Sequence, residues 1–451
     1  MSNLPISDTD TPDPWMISAN NRFYLTFTAG DRVEIWSSPT MEDFRPGNPQ
    51  RQQSVVWKPT PGTPWSIDIW APELHRLNNT WYIYFCAAHP GQGNPSHRTV
   101  LLRSRNEDPM DPRGWEFLGP LKGIPDHWNI DATVFEISCS PTSSHSHRGG
   151  MTTKKLYCCY SGWPLGDYSD TQQDLFLVEL ASPEQAVPES LTCISRAELP
   201  WERPDGGRRG VNEGPTWVEI PQQGTSTGSE SGLRSGESYS FRGIVYSANG
   251  SWTSDYKLGV LELVGGTDPL QPSSWRKRPT PLLESDRRQG GPFGPGHASF
   301  IVPPPRDYCP QPQIFCIYHA TANEGEGWSN RKARVLCLSP DHFQPQAQTV
   351  CCADAVVPKL YHDYGLYRGY GYGYGFGSQQ HHQQRPASFG QQQQYFYPGQ
   401  TAQSQSGAQY QQTNTTAGHG GTDQGQGAGQ TQRKSFLDKI GDKVLKRLKD
   451  L

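Results

Sequence analysis

Ile69-Trp70-Ala71-Pro72-Glu73-Leu74-His75, then Trp81-Tyr82-Ile83-Tyr84-Phe85, then Val100-Leu101-Leu102-Arg103, is one copy of a pattern that this chain repeats five times. The middle run is an aromatic-rich strand. Its counterparts are Phe23-Tyr24-Leu25-Thr26-Phe27, Leu156-Tyr157-Cys158-Cys159-Tyr160, Phe241-Arg242-Gly243-Ile244-Val245-Tyr246 and Ile314-Phe315-Cys316-Ile317-Tyr318. The third run recurs as Val33-Glu34-Ile35-Trp36, Leu175-Phe176-Leu177-Val178, Lys257-Leu258-Gly259-Val260-Leu261 and Arg334-Val335-Leu336-Cys337. The leading element recurs as Asp13-Pro14-Trp15, Asp131-Ala132-Thr133-Val134-Phe135, Glu213-Gly214-Pro215-Thr216-Trp217 and Gly296-His297-Ala298-Ser299-Phe300. From Asp13 to Trp70, Asp131, Glu213 and Gly296 the steps are 57, 61, 82 and 83 residues. β-branched and aromatic runs bounded by turn residues read as strands. Repeats of this size read as stacked or radial arrays. The expectation is an all-β fold over residues 1–350, a five-bladed β-propeller whose leading strands line a central channel. A β-sandwich would not explain five copies of the same three-part order.

The chain has 451 residues, 33% hydrophobic and 11% aromatic, with 14 Trp. The formal net charge of -4 gives no reason to expect a nucleic-acid partner. The first residues show neither a basic n-region nor an apolar h-region, and no run of 18 apolar residues exists to span a membrane. These features lead to the expectation of a cytoplasmic protein, or of export by a leaderless route. Ten cysteines include the adjacent pairs Cys158-Cys159 and Cys351-Cys352. Cys86, Cys158, Cys316 and Cys337 sit in strand-like runs, which reads as small buried hydrophobes in a reducing compartment.

Beyond residue 350 the composition changes. Residues 351–432 are rich in Gly, Tyr and Gln, too poor in apolar residues to build a core, and are expected to be disordered. Residues 433–451 place Phe436, Ile440, Val444, Leu448 and Leu451 at helical spacing. Seven Lys/Arg against three Asp give this segment a charge of +4. It is expected to form a short basic amphipathic helix that meets a membrane surface or a protein partner, or packs on its own propeller.

Three leading elements carry carboxylates: Asp13, Asp131 and Glu213. Glycosidic cleavage uses such a set, with one acid protonating the leaving oxygen and one carboxylate activating water. Each residue also has a plainer use. Asp13 before proline can cap a turn. Asp131 inside an apolar run is costly unless paired or functional. Glu213 stands in a short motif of little specificity. His297 sits among Gly294, Pro295 and Gly296, where glycines allow close backbone approach. Glu73 serves either a substrate or a buried arginine. Trp15, Trp70 and Trp163 belong to the core or to the pocket wall.

Taken together, Asp13-Pro14-Trp15, Ile69 to His75, Ile130-Asp131, Glu213-Gly214-Pro215, Gly294-Pro295-Gly296-His297 and Tyr318-His319-Ala320 resemble glycoside hydrolase family 43, over about residues 8–345. The resemblance implies a five-bladed propeller and hydrolysis with inversion. It implies Asp13 as general base, Glu213 as general acid and Asp131 as the residue tuning the acid. It also implies sugar contacts from Trp15, Trp70, Glu73, Trp163, His297 and either Arg331 or Arg334. No cofactor is required; a Ca²⁺ at the channel centre, beside His297 and held mostly by water, is the one metal it raises. Trp70 to His75 with Trp81 to Phe85 looks most like the exo-acting α-L-arabinofuranosidase branch. The expected substrate is therefore an arabinose- or xylose-containing oligosaccharide. β-Xylosidase activity and a non-catalytic glycan- or protein-binding propeller are the alternatives.

Overall fold

The computed structural model describes residues 5–41, 44–45, 47–139, 153–222, 239–303 and 313–352. The expectations for 351–432 and 433–451 lie outside these residues, apart from Cys351 and Cys352, which pair beside Leu283–Glu284. Among the described residues there is no α-helix, only 3₁₀ turns of three or four residues, and no helix long and apolar enough to cross a membrane.

The strands form five antiparallel meanders in chain order. The first is β1 (Trp15–Ala19), β2 (Arg22–Thr26), β3 (Val33–Ser38) and β4 (Gln52–Trp57). The second is β5 (Ile67–Leu77), β6 (Thr80–Ala88), β7 (Arg98–Ser104) and β8 (Trp115–Pro120). The third is β9 (Asn129–Cys139), β10 (Thr153–Gly162) and β11 (Gln172–Ser182), edged by β12 (Gln185–Ala186) and β13 (Thr192–Ser195). The fourth is β14 (Gly210–Pro221), β15 (Tyr239–Ala248) and β16 (Lys257–Leu263), with β17 (Trp275–Lys277) and β18 (Leu283–Glu284). The fifth is β19 (Phe293–Ile301), β20 (Ile314–Thr321) and β21 (Lys332–Leu338); β22 (Val350–Cys351) pairs with β18. A two-residue parallel contact, Gln172 and Gln173 against Gly210 and Val211, joins the third meander to the fourth.

Both faces of each central strand are buried, which is why these runs are apolar without polar alternation. Successive side chains point to opposite faces, and each face meets a different neighbour. In β2, Tyr24 packs toward β5–β7 while Phe23 and Leu25 pack against Phe315, Ile317 and Val335. In β6, Tyr82 and Tyr84 pack against Val134, Cys158 and Tyr160. In β10, Tyr157 and Cys159 face Ile244 and Tyr246. In β15, Val245 faces the cluster of Cys316, Tyr318 and Leu336. There are thus clusters between successive meanders, and one more joins the fifth to the first. The pairing of Pro5 with Arg334 and the Ile6 N–H bond to the Ala333 carbonyl (2.9 Å) reinforce that last contact.

Cys158 and Cys159 illustrate the alternation. Adjacent in sequence, they belong to different clusters, and Cys86, Cys158, Cys159 and Cys316 are all fully buried. Burial raises the Cys86 and Cys159 thiols well above their usual range.

Candidate active site

The five leading strands share a backbone feature. Asp13, Ala71, Asp131, Gly214 and His297 are left-handed, with φ of 54°, 47°, 57°, 52° and 43°. For residues with a Cβ this conformation costs roughly 1–2 kcal/mol. Strand register breaks around the same places in β5, β9, β14 and β19. Such irregularities bend a strand and re-aim its side chains. Here they turn one end of each leading strand inward, so residues from different meanders meet.

His297 is the hub. Its Nδ1 lies 3.2 Å from Asp13 Oδ1 and 3.9 Å from Asp131 Oδ2. Its ring rests over Gly214, where a Cβ would come within 3.1 Å of the imidazole Cγ. The Gly214 N–H donates to Asp131 Oδ2 at 3.0 Å, which ties Asp131 to the residue beside Glu213. The Thr28 hydroxyl donates to Asp13 Oδ2 (2.6 Å) and accepts the Ala71 N–H (2.7 Å). The Asp13 N–H donates to His319 Nδ1 at 2.9 Å, and the other ring nitrogen of His319 meets the Arg331 guanidinium. Gln173 Nε2 donates to Glu213 Oε2 at 3.1 Å, and Tyr256 also hydrogen-bonds this carboxyl. Gly296 is required because a Cβ there would run into the Tyr256 ring.

The charges are unevenly matched. Burial opposes ionisation of Asp13, but the charge and hydrogen bond of His297, with the Thr28 hydroxyl, hold it well below the usual carboxylate range. Burial would push His297 down, but Asp13 and Asp131 raise it to about 10. Asp131 is raised to about 7 by burial and by the neighbouring Glu213 and Asp13. Glu213 is raised mainly by burial, against the pull of Tyr256 and Gln173. Glu73, which hydrogen-bonds Thr133 and lies 2.8 Å from His75 Nε2, is raised well above the usual range by burial. One carboxylate held low and one imidazole held high therefore sit among carboxyl groups that bind their protons more tightly than usual. Asp13 keeps 22% of its side-chain surface exposed against 7% for Asp131, so the ionised group is the one open to water.

The other predicted contacts divide. Arg331 joins the site, stacked over Tyr256 and influenced by Asp13 and Glu213, whereas the titratable groups around Arg334 are Tyr318, Cys352 and Glu326. Trp70 stacks on His97 with ring centroids 3.9 Å apart, and packs on a cluster containing Trp128, Ile130 and Trp163. Trp163 is buried in that cluster, stacked on Trp128. Trp15 packs on the core between the first two meanders, its indole N–H bonded to the Leu74 carbonyl (2.9 Å). Sequence reasoning assigned no role to Tyr256, Gln173, Thr28, His75 or Thr133, and noted His319 only inside Tyr318-His319-Ala320.

Calcium takes six to eight oxygen ligands. The central side chain here is an imidazole, a nitrogen donor, and its Nδ1 is already directed at two carboxyl groups. Among the described residues no three His, Cys, Asp or Glu side chains are grouped as metal ligands. The residues as placed do not fit a calcium.

The profile of glycosyl hydrolases family 43 matches residues 2–344. The chain belongs to that family. It is accordingly a glycosidase. It is 29% identical over 285 residues to an extracellular exo-α-(1→5)-L-arabinofuranosidase of Streptomyces chartreusis, covering 63% of this chain and 73% of that one. It is 27% identical to α-L-arabinofuranosidase B of Pyricularia oryzae over 64% of this chain, spanning about half (51%) of that relative's length. Among solved structures it is similar to an α-L-arabinofuranosidase from Lactobacillus brevis, with a TM-score of 0.56 and 25% identity over 72% of this chain and 89% of that one. A thermostable family-43 glycoside hydrolase matches in fold, with a TM-score of 0.52 and 20% identity over 73% of this chain and 91% of that one.

The names correct the expectation of a cytoplasmic protein. The Streptomyces chartreusis relative and another from Streptomyces avermitilis are both called extracellular. The cysteine pattern misled because thiols buried this deeply stay reduced in either compartment, so they report packing and not location.

Proposed function

We propose that this glycosidase removes terminal α-L-arabinofuranosyl residues from arabinan-type oligosaccharides with inversion at the anomeric carbon. Glu213 donates its proton to the glycosidic oxygen as that bond breaks. Asp13 takes a proton from the water that attacks the anomeric carbon from the opposite face. Asp131, through its charge and its bond to the Gly214 N–H, orients Glu213 and tunes its proton affinity. His297 fixes Asp13 and Asp131, while Arg331, Glu73 and Trp70 line the sugar site. The five meanders act as the blades of a five-bladed propeller, a reading supported by apolar packing that passes from each meander to the next and from the fifth to the first.

The observation that carries this reading is the split of charge around His297. A general base must be ionised and a general acid protonated at the same pH. Asp13 is held low and Glu213 is held high. The substrate rests on the relatives, which are named as arabinofuranosidases.

The test is hydrolysis of aryl α-L-arabinofuranoside and aryl β-D-xyloside by the protein, by Asp13→Ala and by Glu213→Ala, with the anomer released followed by NMR. Arabinoside cleavage giving the β-anomer first, lost in both variants, is the expected result. Cleavage of the xyloside alone would overturn the substrate. Retention would overturn the mechanism. Full activity in either variant would overturn that residue's role.

A further inference from the structure

A second pocket lies outside the cluster around His297. It has a volume of about 350 Å³ and is lined by Trp65, His89, Gln92, Ser96, Arg98 and Asp126, with Pro95. That size is at the small end of ligand-binding sites, roughly 300–1,000 Å³. Strand register places it at the end of the sheets that carries the site. Ile67 of β5 pairs with Ala88 of β6, so the approach to β5 and the β6–β7 connection both lie at the end where Ala71 turns inward. One short loop joins the two places. His97 stacks on Trp70 and bonds to the Asp68 carbonyl, while its neighbours Ser96 and Arg98 line the pocket.

Three features make this a built site. Trp65, half-buried, is held at φ 54°, a strained conformation for a bulky residue, and such strain gathers at ligand-binding positions. Its ring meets His89 edge-on at 4.7 Å, forming an aromatic wall. Facing it, Arg98 Nε donates to Asp126 Oδ1 at 2.6 Å, and the Asp126 side chain is 93% exposed. The wall suits the apolar face of a sugar ring, and the Arg–carboxylate pair offers donors and acceptors to neighbouring hydroxyls.

We infer that this pocket binds a sugar residue of the same oligosaccharide, further along the chain than the bond that is cut. The inference rests on the arabinan-type reading above. The pocket holds the polymer by stacking on Trp65 and by hydroxyl contacts to Arg98 and Asp126, so it favours longer chains.

The experiment compares linear α-1,5-arabinobiose and arabinohexaose with the full chain and with Trp65→Ala, Trp65→Phe and Asp126→Ala. Binding is measured by calorimetry in a Glu213→Gln background, and KM is measured in the active protein. Hexaose should bind about tenfold more weakly after Trp65→Ala, the size of one lost stacking contact. Trp65→Phe should restore most of that binding, and biose should be unaffected. The aryl arabinofuranoside, which carries no further sugar residue, should turn over at the same rate in all. Hexaose binding that is unchanged in both Trp65→Ala and Asp126→Ala would overturn this site while leaving the catalytic reading intact. Hexaose bound through Trp65 by a protein that cleaves no arabinoside would support the site and sink the catalytic reading. Equal weakening for biose and hexaose would overturn the chain-length role.

Discussion

Two buried charged networks lie one residue apart in sequence, and they are built on opposite plans. The first surrounds Glu202, which is fully buried beside Asn212. Its carboxylate accepts from Lys277 (2.8 and 3.1 Å), the Tyr246 hydroxyl (2.7 Å), Asn212 Nδ2 (3.1 Å) and the N–H groups of Glu198 (2.9 Å) and Leu199 (2.8 Å). Charge is balanced and the acceptors are saturated. The second network begins at Glu213. It brings Glu73, Asp13, Asp131 and Glu213 around one imidazolium, and carboxyl groups there keep protons they would lose in water. The satisfied network fixes the backbone on which the unsatisfied one stands. The first is built for stability, and the second is the proposed seat of reactivity.

This contrast is sharpest when activity and stability are measured on the same variants. Asp13→Ala and Glu213→Ala should each lower kcat on aryl α-L-arabinofuranoside by about 10²–10⁴-fold, the usual contribution of acid–base catalysis. Asp13→Ala takes the counter-charge from His297 and should lower melting as well as activity. The melting temperature of Glu213→Ala should not fall, because it removes a raised carboxyl from a crowded set, and a collapse in melting there would break the distinction. Glu202→Gln should do the reverse. It leaves the Lys277 ammonium without a counter-charge and should cost about 3–5 kcal/mol in urea unfolding, with activity per folded molecule retained.

pH gives a third test. The folded protein binds protons more tightly than the unfolded chain at His297, raised from 6.5 to about 10, and at Asp131, raised from 3.8 to about 7. Where the folded state holds more protons, stability falls as pH rises. The Asp131 contribution is therefore lost between about pH 4 and 7, and that of His297 between about pH 6.5 and 10. Melting temperature should decline from pH 7 to 10, and His297→Gln should flatten that decline. The smallest effect is expected from Glu73→Gln. Glu73 is raised well above the usual range, so an amide resembles the form already present. Its stability should stay within about 1 kcal/mol of wild type, the size of a single net hydrogen bond.

The repeat was legible because every central strand is buried on both faces, so an uninterrupted apolar run such as Trp81 to Phe85 stands out. Asp131 and His297 were legible for the converse reason: a polar group inside such a run needs a purpose. What escaped was register. Arg331 and Arg334 look alike in sequence, and only the pairing of β20 with β21 puts one against His319 and the other on the strand beside Tyr318. Tyr256 follows a turn like many other tyrosines here, and its place beside Glu213 depends on Gly296, 40 positions later. Trp15 reads either way in sequence, because the core uses tryptophan in the same motif that supplies Asp13.

The contact between Asp13 and His319 spans 306 positions of the chain. A ribosome makes the proposed base 306 residues before the histidine that fixes it. Every intermediate length of nascent chain therefore lacks a finished pocket. The Pro5–Arg334 pairing is subject to the same order of manufacture, so the residues around Pro5 wait for the last meander to emerge. The proposed pocket cannot be finished until the last of the five meanders has been made.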